Sequence, residues 1–179
     1  MVCEKLAAYS LPCILIDDGS DDQCRDVLLD LAIKYAWVIL IRLETNSGKG
    51  VAVCTGLRRA YELGHTHALQ VDADGQHDLA DLPRFIAISE QNPTAVVTGD
   101  RVAQGISAPR HYGRKLTDAL VWVQTLSFSI KDSMCGFRLY PLPATCALLA
   151  SHTACRRMDF DTDILVRLYW RGIPIEQVS

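Results

Sequence analysis

No run of lysine and arginine appears anywhere in the chain, and the formal net charge at pH 7 is −3. Electrostatics therefore makes no case for a nucleic-acid partner. No apolar stretch is long enough to span a bilayer, and no signal-peptide pattern opens the sequence. The seven cysteines, Cys3, Cys13, Cys24, Cys54, Cys135, Cys146 and Cys155, include no pair at C-x-x-C spacing. That argues against a zinc knuckle or redox pair and leaves reduced cytosolic thiols as the expectation. His65 and His67 stand two apart at a strand start without further ligands and read as edge residues. Internal repeats, low-complexity segments and linkers are also missing. Residues 1–179 are accordingly expected to form one domain, large enough for a real core. What is present is 49% hydrophobic and 22% charged residues, the balance of a soluble globular protein rather than a disordered one.

Glu4 to Tyr9 reads as the tail of a helix that breaks at Ser10-Leu11-Pro12. Cys13 to Ile16 is a continuous apolar run bounded by turn signals, which suits a strand buried on both faces. Ser20 or Asp21 can cap the helix that follows, with Val27, Leu28, Leu31 and the Ile33–Tyr35 region as its apolar stripe. Trp37 to Leu43 is the next strand. Asn46-Ser47-Gly48-Lys49-Gly50 opens a helix through Val51, Val53, Leu57, Ala60 and Tyr61, stopped at Gly64. A strand from His67 to Val71, a helix from about Leu79 to Glu90 and a strand from Thr94 to Thr98 complete a strict alternation. That pattern predicts an α/β fold with a parallel sheet. Beyond it the spacing predicts a loop over Ala103–Arg110 and a long helix from Gly113 to Ile130. An irregular stretch or short strand follows over Asp132–Tyr140, then helices at Pro143–Ser151 and Asp161–Trp170 and a last strand over Ile173–Val178.

The chemistry gathers at strand ends. After Val71 the chain turns acidic twice, at Asp72 and Asp74, with Gly75 letting it bend. Two carboxylates converging on one point repel each other unless a cation lies between them, and a hard divalent ion, Mg²⁺ or Mn²⁺, suits oxygen ligands. Such an ion would in turn hold a phosphorylated ligand. An acidic turn after a strand explains the tripeptide equally well when it is taken alone. Asp17-Asp18-Gly19-Ser20 and Gly99-Asp100-Arg101 also follow strands, and ligands of open α/β sheets bind in the crevice at the strands' carboxyl ends. The glycines around Lys49 allow close backbone approach, and a helix N-terminus beside a lysine attracts phosphate. The spacing is not that of a Walker A loop.

This ordered set, Asp17-Asp18-Gly19-Ser20, Asn46-x-Gly-Lys-Gly50, Asp72-Ala-Asp-Gly-Gln-His77, Gly99-Asp-Arg101 and Cys135-Gly-Phe-Arg138, resembles the family 2 glycosyltransferases of the GT-A fold. The nearest branch is similar to dolichyl-phosphate-mannose synthases, and the likeness runs from about residue 3 to 179. It implies a GT-A type, Rossmann-like, mostly parallel sheet flanked by helices. It also implies inverting transfer of a sugar from a nucleotide-diphosphate donor to an acceptor, with a polyprenyl phosphate or other lipid suggested by the branch. Carried over, Asp17 and Asp18 lie against the nucleoside and Lys49 belongs to the donor site. Asp72 and Asp74 form the D-x-D motif, with Asp74 on the metal and Asp72 near the ribose or the metal. Gln76 and His77 extend the motif toward the sugar, and Arg101 and Arg138 help hold phosphates. An inverting transfer to a hydroxyl needs a carboxylate to take the proton. Asp132 is the first candidate, Asp161 and Asp163 stand behind it, and a plain loop carboxylate is the competing reading of Asp132.

Two departures qualify the resemblance. The family opens with an interior strand ending in a P-x-Y-N-E-like stretch, whereas this chain begins inside the helix that follows it. The first strand is therefore expected to be missing, leaving unpaired backbone groups on two neighbours. The sequence also stops at Glu176–Ser179, where the family continues toward acceptor-binding or membrane-associated segments, so the domain is expected to be incomplete at both ends. Weakened nucleotide binding, impaired turnover and self-association through exposed sheet edges follow as expectations. A cytoplasmic location, peripheral to the cytoplasmic membrane face, goes with them. Rival readings are a non-catalytic nucleotide-sugar-binding fragment, a nucleotidyltransferase, and a haloacid-dehalogenase-like Mg²⁺-dependent phosphohydrolase, which also carries D-x-D-G after a strand. In the last the motif lies on the first strand, and Gln76 stands here where Thr or Val is usual.

Overall fold

A computed structural model describes residues 2–75, 77–99, 117, 120–126, 130, 132–151 and 159–178. The chain opens with helix α1 (Val2–Leu6), tightens into a 3₁₀ turn over Ala7–Tyr9 and enters strand β1 (Cys13–Asp17). Helix α2 (Asp22–Lys34) starts where the Asp21 carboxylate accepts the Cys24 amide at 2.8 Å, one of the two expected caps. Strand β2 (Val38–Arg42), helix α3 (Lys49–Glu62) and strand β3 (His67–Gln70) come next. A 3₁₀ turn at Leu79–Asp81 then leads into α4 (Leu82–Gln91), followed by β4 (Val96–Gly99). Residues 120–125 form helix α5. Strand β5 (Arg138–Pro141) runs directly into α6 (Leu142–Ser151), and α7 (Phe160–Trp170) and β6 (Ile175–Val178) close the order.

β1 and β2 pair in parallel, with Cys13 opposite Val38 and Asp17 opposite Arg42. The other four strands are ordered β3-β5-β4-β6, with β4 and β6 parallel. β5 runs against both of its neighbours, so β3, β4 and β6 share one direction. The reversal departs from the all-parallel sheet that strict alternation predicts. All four β5 residues are buried, as its central position requires.

Side-chain alternation divides the core. Val96 and Tyr140 pack with α3, α6 and α7, whereas Val97 and Leu139 pack with Phe85 of α4 and with Val2, Leu6 and Tyr9. Adjacent strand residues point to opposite faces, so helices cover both faces of the layer. α3 touches both β1 and β3, and Ile14 and Ala68 join the same cluster beside Val53. Among the described residues no ladder bridges β1 and β3, so the layer is interrupted beneath α3. The Cys13–Ile16 run is consequently only half-buried, although its composition suits an interior strand.

Candidate active site

The ends of β1 and β3 bring two acidic loops to one side. At the end of β1, burial works to raise the Asp17 pKa, but bonds from the Ser20 amide at 2.9 Å and from Arg42 hold it below the ordinary aspartate value. Arg42 is the β2 residue opposite Asp17, and it also donates to Ser20 O at 2.9 Å. Asp18 turns the other way. Its two oxygens accept the Ser47 and Gly48 amides at 2.7 and 2.9 Å, holding the entry to α3. The loops press backbone on backbone here, since a Cβ on Gly19 would stand 2.5 Å from Asn46 N and its φ is +68°.

α3 thus begins at a fixed place, and its first residue is Lys49. The Lys49 ammonium lies 2.9 Å from Asp72 Oδ2 and 2.6 Å from Asp161 Oδ2. Burial works to lower its pKa, but the two carboxylates outweigh it and raise the value. Asp72 is driven well below the carboxylate range: burial opposes the shift, and the nearby His77 ring together with the bond from Lys49 overcomes that opposition. The Asp161 carboxylate is held from behind, accepting Gln70 Nε2 at 3.1 Å, while Tyr140 donates to Gln70 Oε1 at 3.3 Å. Tyr140 is enclosed, and burial pushes its pKa up to about 12. Gly136 leaves the room for this cluster, because a Cβ there would stand 2.4 Å from Asp72 Oδ2 and 2.9 Å from Lys49 Nζ.

His77 stacks on Phe137 with ring centroids 5.1 Å apart. Its Nε2 is buried without a hydrogen-bond partner, 3.7 Å from Asp72 Oδ2. Asp74 is exposed in the turn at Gly75, which has φ +74°. A cleft lined by Asp72, Asp74, His77 and Leu79, with Val2 and Lys5 across from them, opens at this end of β3.

Asp72 and Asp74 are carboxylates of the type a hard divalent cation takes, with Asp72 Oδ2 paired to Lys49 at 2.9 Å. Among the described residues no group of three His, Cys, Asp or Glu side chains converges to hold a metal. A cation here would therefore complete its shell from a phosphorylated ligand and water, a common arrangement for Mg²⁺.

The structure brings Lys49, Asp72 and Asp161 together, with Asp74 at the rim. Asp17 and Asp18 are tied into the neighbouring loops. Arg138, expected at the phosphates, is instead fully buried in β5, and its guanidinium donates to Asp161 O and, at 2.7 Å, to Ser133 O. An arginine in a central strand must bond inside the protein, and these carbonyls take its two terminal nitrogens while Nε stays without a hydrogen-bond partner. Asp132 is buried and accepts the Met134 amide at 3.0 Å. Asp163 pairs with Arg167 at 2.6 Å along α7. Gln76 and Arg101 lie outside the described residues. Sequence reasoning missed Gln70 and Gly136. A glutamine in an otherwise apolar strand was a signal for the first, whereas the glycine of Cys-Gly-Phe-Arg gave no hint of what its missing Cβ accommodates.

The profile of glycosyl transferase family 2 matches residues 3–151. A dolichyl-phosphate beta-glucosyltransferase of Trichomonas vaginalis is 29% identical over 175 residues, covering 93% of this chain and 52% of that protein. The human dolichyl-phosphate beta-glucosyltransferase is 29% identical over 185 residues, covering 96% and 56%. A UDP-N-acetylglucosamine–dolichyl-phosphate N-acetylglucosaminyltransferase of Methanococcus voltae is 35% identical over 101 residues, covering 50% and 40%. The chain spans about half the length of these curated relatives or less. Glucosyl-3-phosphoglycerate synthase of Mycobacterium tuberculosis superposes with a TM-score of 0.67 at 16% identity, covering 92% of this chain and 57% of that one. The likeness extends to the fold, an α/β GT-A architecture with a mostly parallel sheet and flanking helices.

Proposed function

Because the chain belongs to glycosyl transferase family 2, we propose that it transfers a sugar from a nucleotide-diphosphate donor to a lipid phosphate of the dolichyl or polyprenyl kind, inverting the anomeric carbon. The observation that supports this reading best is the Lys49–Asp72–Asp161 cluster at the end of β3, with Asp74 at its rim. The relatives act, by their names, on dolichyl phosphate. The family match leaves the phosphohydrolase and nucleotidyltransferase readings without support.

In this reading an acceptor phosphate oxygen bonds to the anomeric carbon from one face. The bond to the diphosphate oxygen breaks on the other, and its electron pair leaves with the nucleoside diphosphate. Lys49, paired with the cleft-lining Asp72, is the cation that would turn from its carboxylates toward the charge that grows on the leaving group. Mg²⁺ or Mn²⁺ held by Asp72 and Asp74 would act on the same diphosphate as a Lewis acid. The nucleoside lies along the loops fixed by Asp17 and Asp18, and the family resemblance adds Gln76 and Arg101 as donor-binding residues. Arg138 serves it indirectly, by ordering the backbone at Ser133 and Asp161. A lipid phosphate is already an anion and needs no base. Asp161 then holds Lys49; for a hydroxyl acceptor it would be the carboxylate placed in the cluster to take the proton, ahead of Asp132 and Asp163. Among the described residues no further strand pairs with β1 or β3 beyond β2 and β5, which favours self-association by strand pairing that sedimentation at rising concentration would detect.

The test is a thermal-shift series with UDP, GDP, CDP and ADP, with and without Mn²⁺ or Mg²⁺, beside Asp74→Asn, followed by transfer of labelled sugar to dolichyl phosphate. A ligand that binds only the folded state raises the melting temperature by mass action. We expect a metal-dependent shift with UDP, the nucleotide in the name of the Methanococcus voltae relative, that is lost in the variant. A cooperative melt that no diphosphate moves would sink the donor reading.

A further inference from the structure

Three elements aim donors at Asp161, the buried second residue of α7. Gln70 closes β3 as its one buried residue, where a leucine or methionine would avoid the cost of burying an amide. In the β3–β5 ladder Gln70 stands opposite Arg138, and Tyr140 is one diagonal step away, opposite Ala68. By strand alternation these side chains share the face turned to α3 and α7. Gln70 and Arg138 grip Asp161 from two sides. The Arg138 guanidinium donates to the Asp161 carbonyl, and Gln70 Nε2 donates to Asp161 Oδ1 at 3.1 Å. The other carboxylate oxygen, Oδ2, is left to the Lys49 ammonium at 2.6 Å.

The direction of each bond in this relay is forced. A carboxylate paired with an ammonium only accepts, so the Gln70 amide must turn its nitrogen to Asp161 and its oxygen to Tyr140. Tyr140 must then donate, as it does at 3.3 Å. Burial pushes the phenol up to about 12, so it keeps its proton at neutral pH. Strand pairing uses main-chain groups alone and asks nothing of the Gln70 side chain. What the amide does is occupy Oδ1, so that Lys49 meets Asp161 through one oxygen and Asp72 Oδ2 through another at 2.9 Å. Without it the carboxylate could rotate, offer Lys49 both oxygens and draw the ammonium away from Asp72.

We propose that Gln70 is the positioning residue for Lys49: oriented by Tyr140, its amide fixes the rotation of the Asp161 carboxylate and so sets the Lys49 ammonium beside Asp72. The inference rests on the reading of Lys49 as the cation that meets the leaving group, and it deepens that reading by naming what places the cation.

The test compares wild type with Gln70→Met, which nearly keeps the side-chain volume, with Tyr140→Phe and with the double variant, all well below their melting temperatures. The first readout needs no transfer: the ammonium NMR signal of Lys49 in isotope-labelled protein, assigned by its loss in Lys49→Arg. We expect it in wild type, where two carboxylates slow its exchange with water, and expect it moved and weakened in Gln70→Met. In transfer of labelled sugar to dolichyl phosphate, kcat should fall about tenfold to a hundredfold, the scale of a misplaced group. The donor KM should stay within about twofold, because the lost interaction belongs to the transition state. Tyr140→Phe should move both readouts the same way and less. The double variant should be no worse than Gln70→Met, since Tyr140 acts through the amide. An unchanged Lys49 signal in Gln70→Met, or no signal in wild type, overturns the proposal. So does a raised KM at constant kcat, or losses that multiply in the double variant, as two separate stabilising contacts would give. Should Gln70→Met not fold, Tyr140→Phe decides by the same signal. The UDP and metal thermal shift keeps the two readings apart. A thermal shift with an unmoved Lys49 signal removes the positioning role alone. A moved signal in a protein that neither binds UDP nor transfers sugar removes the donor reading, while Gln70 still places Lys49.

Discussion

Asp17-Asp18 at the end of β1 and Asp72-Ala73-Asp74 after β3 look alike in sequence, yet their carboxylates have different partners. Asp17 and Asp18 accept backbone amides of Ser20, Ser47 and Gly48, with Arg42 closing the set. Those donors are fixed by the chain itself and cannot leave. Asp72 faces the enclosed ring of His77 and the ammonium of Lys49, whose flexible stem can swing away when another cation arrives. A carboxylate bonded to main chain shapes a loop, whereas one bonded to a mobile cation in a cleft remains open to exchange. The first pair therefore builds the wall of the site and the second belongs to its chemistry.

The strongest way to break this contrast is Asp72→Asn. If Asp72 works on the donor, transfer measured well below the variant's melting temperature should fall by about 10²–10³, the scale of losing one electrostatic group at a reacting centre, beside a lower melting temperature from the lost Lys49 pair. A fall in stability with normal transfer would make Asp72 another builder. Lys49→Met comes next, because it strands the buried Asp161 and the half-buried Asp72 without their cation. Stability at neutral pH should drop by about 3 kcal/mol, and melts at falling pH should recover part of it as the carboxylates protonate. Gly136→Ala sharpens the contrast from outside: the new Cβ would force Asp72 and Lys49 apart, and transfer should fall about a hundredfold, the scale of a misplaced catalytic group. Asp18→Ala acts on the wall instead. Two amides lose their acceptor, and chemical denaturation should show a loss of about 2 kcal/mol.

The smallest effect is an acid one. Asp17 has a folded pKa below its ordinary value of 3.8. Its contribution is complete above that value and is lost as pH falls through the lower folded one. Asp17→Asn should therefore flatten the acid limb of a melting-temperature profile and leave the pH dependence above about pH 5 unchanged.

Much of this was legible because local signals and global fold agree. Continuous apolar runs bounded by turn residues gave β1 to β4, and an acid pair after a strand gave the cleft. The reversed β5 was not legible, since Arg138-Leu-Tyr-Pro141 carries an arginine and a proline that argue against a central strand; the arginine is tolerated only because Ser133 and Asp161 offer carbonyls. For the same reason Arg138 read as a phosphate ligand. Asp161 read as a reserve behind Asp132, although Lys49 and Gln70 fix it in the cluster. Those partners lie far away in sequence, and only the packing of α7 on α3 brings them near.

The interruption beneath α3 has a thermodynamic side. Two strand sets with no ladder between them among the described residues, both packed against α3, depend on it for their cooperativity. Heat should find two partly independent unfolding units, the β1–β2 set and the larger one, where a continuous sheet would give a single transition. Lys49, at the first turn of α3, stands where both units meet. A diphosphate bound there would tie them, so a broad calorimetric transition should narrow as the nucleotide is added.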